Sequence, residues 1–114
     1  MIEISTAEDK EYVCISVGGE VDASSSIQLD TTIQNAVSDG YKKIMIDCSG
    51  LNYISSAGLG VFMSYIQELE IKEINMVIFG LQDKVFHVFQ ILGLDQLLKI
   101  VDDEKSAKGL LNVI

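Results

Sequence analysis

Ser55 and Ser56 are adjacent hydroxyls in the stretch NYISSAGLGVF, Asn52 to Phe62, with Gly58 and Gly60 close behind. Four kinds of chemistry use hydroxyls at such a place: nucleophilic attack, a phosphate cradle, a helix cap, and acceptance of a covalent group. A serine nucleophile needs a base, usually histidine, held by an acid. The one histidine, His87, lies in KVFHVFQ on the exposed or half-exposed side of an amphipathic pattern, and no G-x-S-x-G elbow surrounds either serine. No catalytic residue is expected, and the chain does not read as an enzyme. A dinucleotide fingerprint needs a third glycine, and a Walker loop needs a lysine; GLG has neither. Small residues there also suit close packing of a helix on a sheet. Cys14 and Cys48 are far apart in strand-like segments and read as small buried hydrophobes. The acids are scattered without ligand spacing, so no metal and no cofactor is expected.

Position is what remains. A serine in the first turn of a helix meets N–H groups that lack intrahelical partners, at the positive end of the dipole. Capping such a turn contributes about 1 kcal/mol. The same place suits a phosphoserine, which would add about −1.5 to −2 charges to the surface. On these residues alone both uses stay open.

The elements that must position these serines follow from periodicity. Ile2 and Ile4, then Tyr12 to Val17, alternate as two strands of an opening hairpin, with the polar TAEDKE as the turn between them. GGEVD, Gly18 to Asp22, breaks that pattern. Leu29, Ile33, Ala36 and Val37 share a helical face, with serines ahead as N-caps and Gly40 as the stop. YKKIMIDCS has the continuous apolar centre of a buried strand, and SGLNYI is read as crossing the surface. Leu59, Phe62, Met63, Ile66 and Leu69 mark a second helix. INMVIFG is a strand, and Val85, Phe89 and Leu92 a third helix closed by Gly93. QLLKIV is a last short strand. Ala107, Leu110, Leu111 and Ile114 stripe a final helix whose acidic start suits the dipole. The order β-β-α-β-α-β-α-β-α implies an α/β fold with a mixed, mainly parallel sheet and helices packed on it.

The chain has 114 residues, 48% of them hydrophobic, which suits one domain over 1–114 with a single core. Its formal net charge is −9, and all eight positive charges are lysines. Nucleic acid is excluded as a partner on that balance, and anionic membrane surfaces with it. A partner with a basic patch fits better, although acidity also serves solubility. No stretch approaches the roughly 18 apolar residues of a membrane span, and the alternating start does not read as a signal peptide. A cytoplasmic protein is expected.

IMIDCSGLNYISSAGLGVF resembles the central motif of STAS domains of the anti-sigma factor antagonist family. There an apolar strand leads to an aromatic-apolar-Asp-Ser-small-Gly-Leu-Gly turn and helix. VGGEVDASSS resembles the family's other hallmark, a Gly-Glu-apolar-Asp segment after the second strand. The resemblance covers essentially the whole chain and implies a STAS-like fold.

It also implies a partner-switching protein. The unphosphorylated antagonist binds an anti-sigma factor that is also a serine protein kinase and so releases the sigma factor. The kinase, using its own ATP, phosphorylates the antagonist, and the complex separates. A serine phosphatase resets the switch. Carried over by position, the phosphoacceptor falls on Ser56, Gly58 and Gly60 match the following glycines, and Asp22 matches the acid beside the acceptor, with a turn or a cap for the first helix as the equal alternative for Asp22. Ser55 stands where an acid is usual, which makes it the second choice for modification. Ala57 replaces a common Ser or Thr. Partner contacts are expected at Asp22, Ser55, Ser56, Ala57, Gly58, Gly60 and Val61, with Tyr65 and Gln67 as further interface candidates off the core stripe. A monomer is expected when the protein is free. The alternative within the same resemblance is an accessory subunit docking to a membrane transporter, or another non-transcriptional partner-switching regulator.

Overall fold

Alternation builds the sheet. In the computed structural model, which describes residues 2–113, β1 (Ile2–Glu8) and β2 (Val13–Val21) form an antiparallel hairpin. Thr6, Ala7 and Glu8 belong to β1, so the turn is shorter than the run TAEDKE. Polar side chains can occupy this strand because it lies at the sheet edge, where one face is wet. β2 also continues through Gly18 to Val21, with a register shift between Gly19 and Glu20 in place of the expected break. Glycine in a strand marks an irregularity here, and the strand survives it.

After β2 come α1 (Ser26–Ser38), β3 (Lys43–Asp47), β4 (Leu51–Ile54), α2 (Ser56–Ile71), β5 (Asn75–Phe79), α3 (Asp83–Ile91), a short 3-10 turn at Leu94–Gln96, β6 (Lys99–Val101) and α4 (Glu104–Leu111). The sheet runs β1-β2-β3-β5-β6, and every pairing beyond the first hairpin is parallel. This is the mixed, mainly parallel sheet expected. The segment expected to cross the surface is instead a strand. β4 pairs in parallel with Gly19–Val21 on the edge of β2 whose earlier part, Val13–Ser16, pairs with β3. Two strands thus share one edge end to end. Four residues with an exposed centre, Asn52 and Tyr53, are too few to show periodicity.

The continuous apolar runs have a simple cause: both faces of the inner strands are covered. Ile44 and Ile46, with Met76 and Ile78, join the core under α1, α2 and α3. Met45, Val77 and Phe79 point the other way, toward Ala107, Leu111 and Val113 of α4 and its C-terminal tail. Within the larger core Phe62 meets Phe89 at 6.0 Å between ring centroids. Three residues expected on buried helical faces are exposed: Met63, Leu92 and Leu110. Each lies at the margin of its apolar stripe, where helical spacing alone does not separate rim from core. Ile114 lies outside the described residues. The last strand is shorter than QLLKIV, because Gln96 closes the 3-10 turn.

The end of α2 carries a strained residue. Ile74 N–H donates to Leu69 O at 2.8 Å and Glu73 N–H to Glu70 O at 3.2 Å, a Schellman closure. Glu73 therefore holds φ 57°, where glycine is the usual occupant. Glu73→Gly is expected to stabilise the fold by about 0.5–1 kcal/mol, the relief of strain outweighing the added freedom of the unfolded chain. An increased midpoint in urea, with unchanged slope, is the expected observation.

Candidate functional site

Both serines lie at the end of the sheet where β2 and β4 finish and α2 begins. Ser55 takes extended backbone at the N-cap, and its Oγ accepts the Gly58 N–H at 3.2 Å. Its own N–H donates to Val21 O at 2.8 Å, fastening the helix start to the last residue of β2. Ser55 is half-buried and its hydroxyl is occupied. Ser56 is the first residue of α2, is exposed, and its hydroxyl has no hydrogen-bond partner among the described residues. The two neighbours thus divide the uses left open above: Ser55 caps, and Ser56 presents a free hydroxyl. The first turn of α2 contains no acidic residue, so its dipole meets no built-in anion.

Gly58 and Gly60 differ as sharply. A Cβ on Gly58 would lie 2.7 Å from both Val21 Cγ1 and Ile54 Cγ1, so this glycine lets α2 close on the ends of β2 and β4. A Cβ on Gly60 would meet nothing within 4 Å. Close helix-to-sheet packing accounts for Gly58 and not for Gly60. Ala57 is exposed, Val61 is half-buried against the core, and Gln67 is exposed.

Asp22 begins the turn into α1. Its Oδ1 accepts the Ser25 N–H at 2.9 Å, the Ser25 hydroxyl at 2.9 Å and the Ser24 hydroxyl at 3.0 Å. Its own N–H donates to Ser25 Oγ at 2.8 Å. Serines and Asp22 were both expected as caps for α1; Ser25 at the N-cap makes no side-chain capping bond, and Asp22 organises the turn. A carboxylate accepts several donors at once, and this one outcompetes the hydroxyls for the role. The Ser25 N–H, followed by the two serine hydroxyls, holds the Asp22 carboxyl down at about 2.

The sign follows from linkage. A carboxylate whose folded pKa is depressed stabilises the fold above its unfolded pKa, near 3.8, and loses that contribution as pH falls through about 2. Between those limits Asp22's contribution to stability should fall with acid, a fall absent from Asp22→Asn, while the native turn itself loosens only near the folded pKa. Carboxyl titration by NMR, with a midpoint near the ordinary aspartate value instead, would remove this account of the turn.

Tyr65, expected at an interface, is 3% exposed. It lies on the side of α2 that meets α1, where its hydroxyl donates to Asp30 Oδ1 at 2.8 Å and lies 3.1 Å from Asp30 O and 3.2 Å from Gln34 Oε1. Burial, then the Asp30 carboxylate, pushes the phenol pKa up, so the hydroxyl stays a donor. Helical spacing places this aromatic at the stripe's edge; only the facing helix shows which way it turns.

The far rim of the site is fixed by polar contacts. Gln82 Nε2 donates to Asn52 Oδ1 at 3.2 Å and to Ser49 O at 3.4 Å. Gly80, with φ 79°, packs so closely on Ser49 that an added Cβ would lie 3.1 Å from its backbone nitrogen. His87 is exposed on α3 and bonds to neither serine. Among the described residues no group of three or more His, Cys, Asp or Glu is placed to hold a metal ion, and both cysteines are free thiols. No helix among them is long and apolar enough to cross a membrane.

Comparison with known proteins agrees with this geometry. The family model described as STAS domain matches residues 3–107. The anti-sigma-B factor antagonist of Listeria monocytogenes is 31% identical over 102 residues, covering 89% of each chain. The crystal structure of an anti-sigma factor antagonist from Mycobacterium paratuberculosis superposes with TM-score 0.89 at 19% identity, over 98% of this chain and 95% of that one. The Bacillus cell fate determinant SpoIIAA in its phosphorylated form superposes with TM-score 0.71 at 22% identity, over 96% of this chain and 99% of that one.

Proposed function

This chain belongs to the STAS domain family, and from that membership we propose that it is an anti-sigma factor antagonist in a partner-switching system. Unphosphorylated, it binds an anti-sigma factor that is also a serine protein kinase, and the sigma factor is released. The kinase then transfers the γ-phosphoryl group of its own ATP to Ser56 Oγ, the hydroxyl proton leaving to the kinase's base and ADP departing. The modified antagonist dissociates, and a serine phosphatase restores it by hydrolysis. The chain itself supplies the acceptor and the docking surface and no catalytic group.

One observation carries the choice of residue. Ser56 is exposed at the first position of α2 with an unengaged hydroxyl, while Ser55 beside it is half-buried and spends its oxygen on the Gly58 N–H. A phosphate on Ser56 would stand at a helix N-terminus that lacks any acid of its own, where dipole and free N–H groups stabilise it. The named relatives support the antagonist role. Phosphopeptide mapping of the protein from its native host across growth and stress conditions tests the assignment. Phosphate on Ser56 that changes with condition is expected. Phosphate confined to Ser55, or complete coverage with both serines bare, would overturn it.

A further inference from the structure

The two edges of the sheet are not alike. β6 closes one side with three residues, the first of them Lys99. Short strands and lysines protect an edge against pairing with another chain. β1 closes the other side with seven residues, Ile2–Glu8, paired to β2 in unbroken register. It has no lysine, no proline and no bulge, and among the described residues no element pairs with its outer edge. The N–H and C=O groups on that side form a template for one more strand. The helix side of β1 is open as well. α1 packs over β2, and a groove of about 260 Å³ is lined by Thr6 and Glu8 of β1 and by Thr32, Asn35 and Asp39 of α1. Toward the other end of the strand, Gln28 lines a second groove with Ile2 and Ile4.

Any strand added here must tolerate Glu3 and Glu8, the two charges on β1. The sequence of β1 itself does so. Paired antiparallel with its own copy about Ser5, all seven residues find a partner: Ile2 opposite Glu8, Glu3 opposite Ala7, Ile4 opposite Thr6, and Ser5 opposite Ser5. No acid meets an acid. Shifting the register by one residue leaves part of the strand unpaired, and in one direction sets Glu3 against Glu8. Parallel pairing in register sets each glutamate against itself. Ile4 with Thr6 is a β-branched cross-strand pair, made twice by symmetry. Gln28, Thr32 and Asn35, the residues of α1 that line the two grooves ahead of Asp39, are uncharged in a chain of net charge −9. We propose that the outer edge of β1 is a self-association surface, where two copies join β1 to β1 across a two-fold axis at Ser5 and one sheet runs through both. The free protein is then a reversible dimer, where the sequence led to a monomer. Such a contact is isologous and closed, so it stops at two copies. Seven residues a side is well below the roughly 20–30 of a standard interface, so the dimer is weak. β4 and the start of α2 lie on the opposite edge of β2 from β1, so the contact does not involve Ser56.

Sedimentation equilibrium of the purified full-length protein, from about 5 μM to about 1 mM, tests this. The average mass should rise toward that of a dimer, with half-association on the order of 0.1 mM. Ser5→Lys sets two like charges opposite each other at the axis and should weaken association about tenfold or more. Ala7→Lys sets an ammonium opposite Glu3 on both sides of the axis. It should strengthen association about threefold at low salt, a gain lost in about 0.5 M salt. Both positions are exposed, so thermal unfolding of the dilute variants should match wild type. A mass that stays at the monomer value throughout overturns the proposal. A dimer that Ser5→Lys leaves within about twofold of wild type places the contact elsewhere and overturns it too. So does a dimer that both variants weaken alike, because the register is then wrong. Should either variant fail to fold, deuterium exchange on the wild type still decides. Amides of Ile2–Glu8 should exchange more slowly in concentrated than in dilute protein, and unchanged rates there overturn the dimer. Each of these results is independent of the role assigned to Ser56.

Discussion

Gly58→Ala should cost the fold about 2 kcal/mol and lower Tm by on the order of 8 °C, whereas Gly60→Ala two residues away should stabilise it. The new methyl at position 58 would lie 2.7 Å from branched carbons on two different strand ends, Val21 and Ile54. Neither neighbour is the tip of a flexible side chain: both are buried and β-branched, and stiff at χ1. Relief therefore needs α2 to lift from the sheet, which also strains the 2.8 Å bond from Ser55 N–H to Val21 O. Alanine's better helix propensity, about 1 kcal/mol, opposes the clash without cancelling it. At Gly60 the propensity acts alone, since the methyl would meet nothing within 4 Å, and a gain of about 0.5–1 kcal/mol is expected. Urea denaturation of the two variants side by side decides the matter. A stable Gly58→Ala protein would show that the helix start is not clamped as described.

Phosphate on Ser56 is expected to weaken the kinase complex at least 100-fold, about 2.7 kcal/mol. Ser56 is exposed at the start of α2, and a group carrying about −1.5 to −2 charges must either be desolvated against the partner or keep it away. Ser56→Asp brings one charge and fewer acceptor oxygens, so only about a tenfold loss is expected from it. Ser56→Ala should bind within about threefold of wild type, because the hydroxyl makes no bond that the fold needs. Ser55→Ala separates the neighbours: it removes the cap on Gly58 N–H and should cost about 1 kcal/mol of stability. Titration calorimetry of the four proteins with the kinase reads these differences. Undiminished binding of the stoichiometrically phosphorylated protein would end the switch assignment, whatever the site of modification.

Much of this architecture was legible in the residues. The alternation in β1 and β2 and the shared faces of Leu29 with Ile33 and of Phe62 with Leu69 each follow the period of one element, and the apolar runs of β3 and β5 are short enough to be strands. β4 was not legible because its four residues include two exposed ones, and its pairing depends on the turn at Ser49 and Gly50, which no local pattern announces. The residues left the start of α1 open between the serines and Asp22, and chemistry decides between them. Serine and aspartate compete for the same donors, and the charged group at position 22 won. At the site, the junction of strand and helix and both serines could be read directly. Their division into a cap and a free hydroxyl could not, since it depends on a one-residue difference in where α2 begins. Tyr65 eluded the sequence because its partners, Asp30 and Gln34, lie on another helix.

The sharing of one edge of β2 by β3 and β4 bears on how the protein breathes. β2 is bonded to β1 from Val13 to Gly19 on one side, and to β3 and then β4 on the other. Val21, at its end, also holds the amide of Ser55. Fraying of the α2 start thus requires loosening the most heavily bonded strand of the sheet, so the Ser55 amide should exchange with solvent deuterium only on sub-global opening. Ser56 therefore stands on an intact native surface with one fixed outline, and that surface is what the proposed kinase would meet. A kinase that recognises short unfolded peptides would find little to grip here, and one that reads the shape of the folded protein would find everything in place.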